Sequence, residues 1–382
     1  MTSKNPDSTD ASPTGSSPLG ALSDAGVSVW LDDLSRELMG GGQLQDLIDN
    51  HHVVGITSNP TIFASALSRG DLYQEQLRRL ANEHSSVDDA VFTITTDDVR
   101  QACTILQPIY ERSAGQDGRV SIEIQPRHAR DTTETVAEAR QLWDTVGQPN
   151  AMIKIPATRE GLEAITTTIG AGISVNITLI FSVERYEEVL DAYMSGLEQA
   201  REQGRDLSQI RSVASFFISR IDSAVDARLD DIGTAAAKAL QGTAAVANAH
   251  RAYAAYEKVV ASTRWQELAG AGAHPQRPLW ASTGVKSKAL ADTFYVEQLV
   301  APGTINTMPG TTLTAFEDHG TIRSDTMPDT YTEATHTLEK LEDLGVDLAI
   351  ISIDLEREGL EKFSASWDEL GTTVHAELEK EA

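Results

Sequence analysis

Residues 151–178 read AMIKIPATREGLEAITTTIGAGISVNIT, and this stretch decides the fold. Two short apolar runs, Ala151-Met152-Ile153-Lys154-Ile155-Pro156 and Ile173-Ser174-Val175-Asn176-Ile177-Thr178, flank a segment of helical character. Strand, helix, strand is the parallel βα unit. The alternation recurs through the chain after residue 20. It predicts strands at 27–32, 53–57, 120–125, 151–156, 173–178, 212–217, 279–283 and 304–308, with helices over 132–146, 182–203 and the Ala-rich 235–269. Eight such strands predict one α/β domain, a (β/α)8 TIM barrel, whose usual size range includes 382 residues. An open doubly wound sheet is the alternative. No G-x-G-x-x-G or G-x-x-x-x-G-K-[ST] follows any strand, which weakens its nucleotide-binding versions.

The connections at 60–119 and 218–278 are long for simple βα links. They read as extra helices on one barrel, with loops near 83–90 and 270–277. At the end of the chain, Leu360, Phe363, Trp367, Leu370, Val374 and Leu378 recur every three or four residues. That spacing predicts an amphipathic C-terminal helix packed on the barrel, with partial cover of its mouth as a second role.

Composition narrows the function classes. The formal charge of -26 argues against nucleic acid as a partner and requires a locally basic pocket for any phosphorylated substrate. Cys103 is the single cysteine, so no intrachain disulfide is possible, in keeping with a reducing cytoplasm. No run approaches about 18 apolar residues, so no membrane helix is expected. Residues 1–20 are Ser, Thr, Pro, Gly and Asp with little apolar content, and are expected to form a disordered tail ahead of a 21–382 domain. There is no HExxH, CxxC or G-x-S-x-G, and the histidines are scattered. Neither a metal nor a serine nucleophile is expected.

Strand parity then picks out candidate chemistry. In 27–32, Ser28, Trp30 and Asp32 share one face. In 120–125 it is Ser121, Glu123 and Gln125; in 151–156, Met152, Lys154 and Pro156; in 173–178, Ser174, Asn176 and Thr178. The opposite faces are aliphatic and suit packing under helices. In a barrel the polar faces point inward, where apolar residues are the norm. Lys154 stands out because a lysine is costly to bury without a partner or a use. Loss of hydration favours a free amine, which attacks carbonyls to form Schiff bases. The competing reading is a strand-end lysine that snorkels to solvent, with Asp32 and Glu123 as its counter-ions. At other strand ends, Asn59-Pro60 reads as a turn, and Ser215 shares a face with Phe217. Arg220 falls in the first turn of a helix, where free N–H groups favour phosphate, though an exposed helix arginine reads equally well. Lys286 follows strand seven, a common phosphate position in barrels, while remaining compatible with an ordinary surface lysine.

Five ordered motifs carry a family resemblance. They are Val27-Ser28-Val29-Trp30-Leu31-Asp32-Asp33-Leu34-Ser35-Arg36, Gly55-Ile56-Thr57-Ser58-Asn59-Pro60-Thr61-Ile62-Phe63, Ile153-Lys154-Ile155-Pro156-Ala157-Thr158, Val175-Asn176-Ile177-Thr178-Leu179-Ile180-Phe181-Ser182 and Trp280-Ala281-Ser282-Thr283-Gly284-Val285-Lys286. Together they resemble transaldolase of the longer bacterial type, from about residue 20 to the end. The resemblance implies a cytoplasmic enzyme of the pentose phosphate pathway, a class I aldolase-type barrel and no cofactor. It implies transfer of a dihydroxyacetone unit from sedoheptulose 7-phosphate to glyceraldehyde 3-phosphate, giving erythrose 4-phosphate and fructose 6-phosphate. Lys154 would then be the Schiff-base lysine. Asp32 would handle the proton of the hydroxyl beside the breaking bond, and Glu123 would act through a water held with Thr178. Asn59, Asn176 and Ser215 would bind the dihydroxyacetone unit. Arg220 would bind phosphate, with Lys286 where shorter relatives carry arginine. Phe217 fits the transaldolase pattern, since the related fructose 6-phosphate aldolases tend to carry tyrosine. Such an aldolase is the near alternative, a catalytically silent barrel acting as a binding or scaffold protein the distant one. A monomer and a homodimer are both compatible with the sequence.

Overall fold

The computed structural model describes residues 17–68, 71–322, 327 and 330–381. Eight parallel strands close into a barrel in sequence order. They are β1 (Ser28–Leu31), β2 (Val53–Ile56), β3 (Arg119–Glu123), β4 (Ala151–Pro156), β5 (Val175–Ile180), β6 (Ser212–Phe217), β7 (Arg277–Ala281) and β8 (Ile305–Met308). All eight expected strands are present, and β8 pairs with β1 to complete the ring. The outer faces of the strands bury Val29, Ile122, Ile153, Ile155, Val175 and Ile177 under the helices.

Strand ends differ from the expected bounds where the backbone bends. β5 starts at Val175, after a turn at Gly172 (φ 86), and runs to Ile180 through a register shift between Ile177 and Ile180. Leu179 sits inside that shift at φ 58, a left-handed conformation uncommon for leucine. β7 begins at Arg277 and stops at Ala281, because Ser282 (φ 58) turns the chain out of the sheet. The expected helix over 235–269 is three pieces, Ala235–Lys238, Ala244–Val260 and Thr263–Gly270. Gly242 (φ 69) breaks it first, and Ser262 caps the last piece by accepting the Trp265 N–H.

The long 60–119 connection holds Pro60–Ser68, Gln74–Asn82 and Val87–Arg112. The C-terminal helix, Leu348–Glu381, packs against all three, and against Ser219–Ile232 and β5. It buries Leu360, Phe363, Leu370, Val374 and Leu378, the stripe read from the sequence. Of the stretch expected to be a tail, residues 1–16 lie outside the described residues, and from Pro18 the chain forms the helix Pro18–Asp24 with Leu19 and Leu22 buried. Among the described residues no helix is long and apolar enough to cross a membrane.

The two ends of the barrel interior differ. Toward the N-terminal ends of the strands, Arg277 pairs with Asp117 at 3.0 Å and donates to Ser28 Oγ, while Trp30 Nε1 donates to Asp117. The Trp30 ring lies across Gly55; a Cβ there would come within 2.4 Å of it, so only glycine fits. The inward polarity of Ser28 thus belongs to a closed floor. Polar groups at the C-terminal ends have no such closure and define the site.

Candidate active site

Register places the central pair. Glu123 on β3 is the direct neighbour of Lys154 on β4, which is in turn opposite Asn176 on β5. Lys154 is buried at 4% exposure. Its Nζ lies 3.4 Å from Glu123 Oε2 and donates to the Ser58 carbonyl at 3.1 Å. Among the described residues neither oxygen of Glu123 accepts a hydrogen bond, and the buried Thr178 Oγ1 also lacks a partner. Burial pushes the Glu123 carboxyl up to about 7, against the opposing pull of Lys154. A carboxyl poised there changes its proton state near neutral pH, as a general acid–base group requires.

Asp32 follows the last residue of β1. Its N–H continues the sheet ladder to the Met308 carbonyl at 2.8 Å. Its Oδ1 accepts from Thr57 Oγ1 at 2.8 Å, and that hydroxyl lies 2.7 Å from Thr307 Oγ1. Burial raises the Asp32 pKa, while Lys154, the Thr57 hydroxyl and Arg220 oppose the rise. Asn176 Nδ2 donates to Ser121 Oγ at 2.9 Å, and Asn176 Oδ1 accepts from Ser215 Oγ at 2.7 Å. That chain fixes the orientation of the amide. Asn59 is engaged locally, since its Oδ1 accepts the Ile62 N–H at the start of Pro60–Ser68.

The basic residues gather at the mouth. Arg220 is in the first turn of Ser219–Ile232, its guanidinium 5.0 Å above the Phe217 ring. Phe217 also packs on Phe181, centroids 5.1 Å apart. Burial lowers the Arg220 pKa, opposed by the carboxylates of Asp32, Glu123 and Glu358. Lys286 lies on the loop after β7. Partial burial pushes its pKa down, and the cations Arg220 and Lys362 push it further.

The structure therefore brings Asp32, Glu123, Lys154, Asn176, Thr178 and Ser215 together at the C-terminal ends of neighbouring strands, with Arg220 and Lys286 on the segments that follow β6 and β7. Sequence reading missed several partners. Thr57, Ser58 and Ser121 were visible as polar strand ends, but only the register shows what they bind. Phe363, whose ring centroid is 5.9 Å from Lys154 Nζ, and Lys362 come from a helix some 200 residues downstream. The apolar stripe marked that helix for packing, without revealing which turn reaches the mouth.

An all-parallel closed barrel with a buried strand lysine in contact with a carboxylate is consistent with a (β/α)8 barrel of aldolase type. A family model described as Transaldolase/Fructose-6-phosphate aldolase matches residues 29–374. The chain is 58% identical over 362 residues to a transaldolase of Thermobifida fusca, covering 95% of this chain and 98% of that one. It is 56% identical over 363 residues to a transaldolase of Parafrankia sp., with the same shares covered. Against transaldolase 2 of Streptomyces coelicolor the identity is 55% over 359 residues, covering 94% and 96%. The chain belongs to the transaldolase/fructose-6-phosphate aldolase family.

Proposed function

We propose that Lys154 carries the substrate covalently in this enzyme. The chain is a transaldolase: relatives of that name share 54–58% of its sequence over nearly their whole length, which favours neither the fructose 6-phosphate aldolase nor the silent barrel. Its substrates are sugar phosphates. The reading for the donor is sedoheptulose 7-phosphate and for the acceptor glyceraldehyde 3-phosphate, in the non-oxidative pentose phosphate pathway.

The observation that carries the mechanism is the Lys154–Glu123 contact of 3.4 Å inside the barrel. The Lys154 amine adds to the ketone carbonyl of the donor, and water leaves to give a Schiff base. Asp32, held by Thr57, takes the proton of the hydroxyl beside the breaking carbon–carbon bond. The aldose product departs and a three-carbon unit stays on Lys154. The unit then adds to the acceptor aldehyde, Asp32 returns the proton, and hydrolysis frees the amine. Glu123 serves the dehydration and hydrolysis through a water. The unpartnered oxygens of Glu123 and Thr178 suit such a water, since buried polar atoms seek partners. Asn59, Asn176 and Ser215 bind the dihydroxyacetone unit beside Phe217, and Arg220 and Lys286 bind phosphate. No cofactor enters these steps. Cys103, the single and buried cysteine, suits a cytoplasmic setting, and we take the active unit to be a monomer or homodimer.

Borohydride reduction with fructose 6-phosphate tests the proposal. It is expected to leave a stable three-carbon adduct on Lys154 and none in the Lys154→Arg variant. A folded, active sample whose reduced adduct maps to another residue would refute it.

A further inference from the structure

The C-terminal helix Leu348–Glu381 turns a defined face to the barrel mouth. Phe363 stands over Lys154. One turn earlier, Gly359 packs so closely that a methyl in its place would lie 3.5 Å from Arg220 Nη1 and 2.9 Å from Leu179. Residues 359, 362 and 363 are spaced i, i+3 and i+4, so Lys362 shares this face. Its charge bears on Lys286, which in turn feels Arg220. Three cations therefore converge from three elements: the first turn after β6, the loop after β7 and the C-terminal helix. Among the described residues none of the three is ion-paired to a carboxylate. In a chain of formal charge -26, gathering these cations costs mutual repulsion, which Asp32, Glu123 and Glu358 offset at Arg220 and which a bound anion would relieve further.

We propose that Lys362 is a specificity-determining residue, the third cation that holds the phosphate group of the substrate together with Arg220 and Lys286. The proposal rests on the phosphate role given above to those two residues. A lysine offers one point charge where arginine offers a fork. With lysine at 286, a second lysine reaching down from the helix supplies charge for a dianion. Because that helix also places Phe363 over the reacting amine, phosphate binding and cover of the site are carried by one element.

The test compares kcat/KM for glyceraldehyde 3-phosphate with that for unphosphorylated glyceraldehyde as acceptor. Lys362→Ala is expected to lower this preference roughly five- to tenfold, in line with loss of one partly exposed charge contact. Lys362→Glu should lower it further, and Lys362→Arg should restore it. The residue is exposed, and circular dichroism is expected to show a native fold in all three. A wild-type preference in both Lys362→Ala and Lys362→Glu overturns the proposal. Arg220→Ala separates the two readings. If it reduces the preference and Lys362→Glu does not, only the assignment of Lys362 falls. If neither does, the phosphate site itself is misassigned.

Discussion

Glu123 shows how one residue can link chemistry to stability. Its ordinary value is 4.5, and burial raises it to about 7 in the folded enzyme. Between those two values the folded state holds a proton that the unfolded chain has released. By linkage, this contribution is fully present below about 4.5 and is lost as pH rises through about 7. Glutamine at this position does not titrate. Relative to the parent, Glu123→Gln is therefore expected to gain stability between about pH 5 and about pH 8, on the order of 1–3 kcal/mol. Denaturation midpoints of the two proteins across that range check it; a constant gap would show that the carboxyl titrates normally. The same residue illustrates what sequence could reveal. Its inward direction followed from alternation along β3, because aliphatic Val120, Ile122 and Ile124 mark the other face. Its lack of a hydrogen-bonding partner among the described residues did not follow, since that depends on what neighbouring strands place beside it.

At the scale of elements, the strands were legible and their ends were not. β5 and β7 bend at Leu179 and Ser282, residues whose identities give no hint of a positive φ. Long helices were legible from periodicity, except where Gly242 and the Ser262 cap divide one. The C-terminal helix was legible as a packing element, but its functional turn was not. Gly359 is the element-scale test of that turn. Alanine there should gain about 1 kcal/mol in helix propensity, and crowding of buried Leu179 costs about as much. Gly359→Ala is thus expected to leave the melting temperature nearly unchanged while raising KM for phosphorylated substrates severalfold through Arg220. A rise in melting temperature of several degrees with unchanged KM would mean that the helix does not press on the site.

For the whole molecule, acidity is the dominant property. A formal charge of -26 implies mutual repulsion across the surface, with Arg220, Lys286 and Lys362 as a local exception. Added salt screens that repulsion over about 10 Å at 0.1 M. The melting temperature is therefore expected to rise by a few degrees between near-zero and about 0.15 M sodium chloride. Scanning calorimetry at fixed pH measures it, and a fall would show that attractive surface pairs such as Arg264–Glu198 outweigh the net repulsion.

The order in which the ring closes also has a consequence during synthesis. β1 is among the first strands made, yet its partner β8 and its floor contact Arg277 lie some 250 to 280 residues later. A nascent chain therefore cannot complete the seam until β8 has left the ribosome, and the helix over the mouth emerges later still. Asp32, Glu123, Lys154 and Asn176 are translated well before the turn bearing Gly359, Lys362 and Phe363. Lys154 is thus made early and the helix that places Phe363 over it much later, so an interrupted chain would carry that amine uncovered.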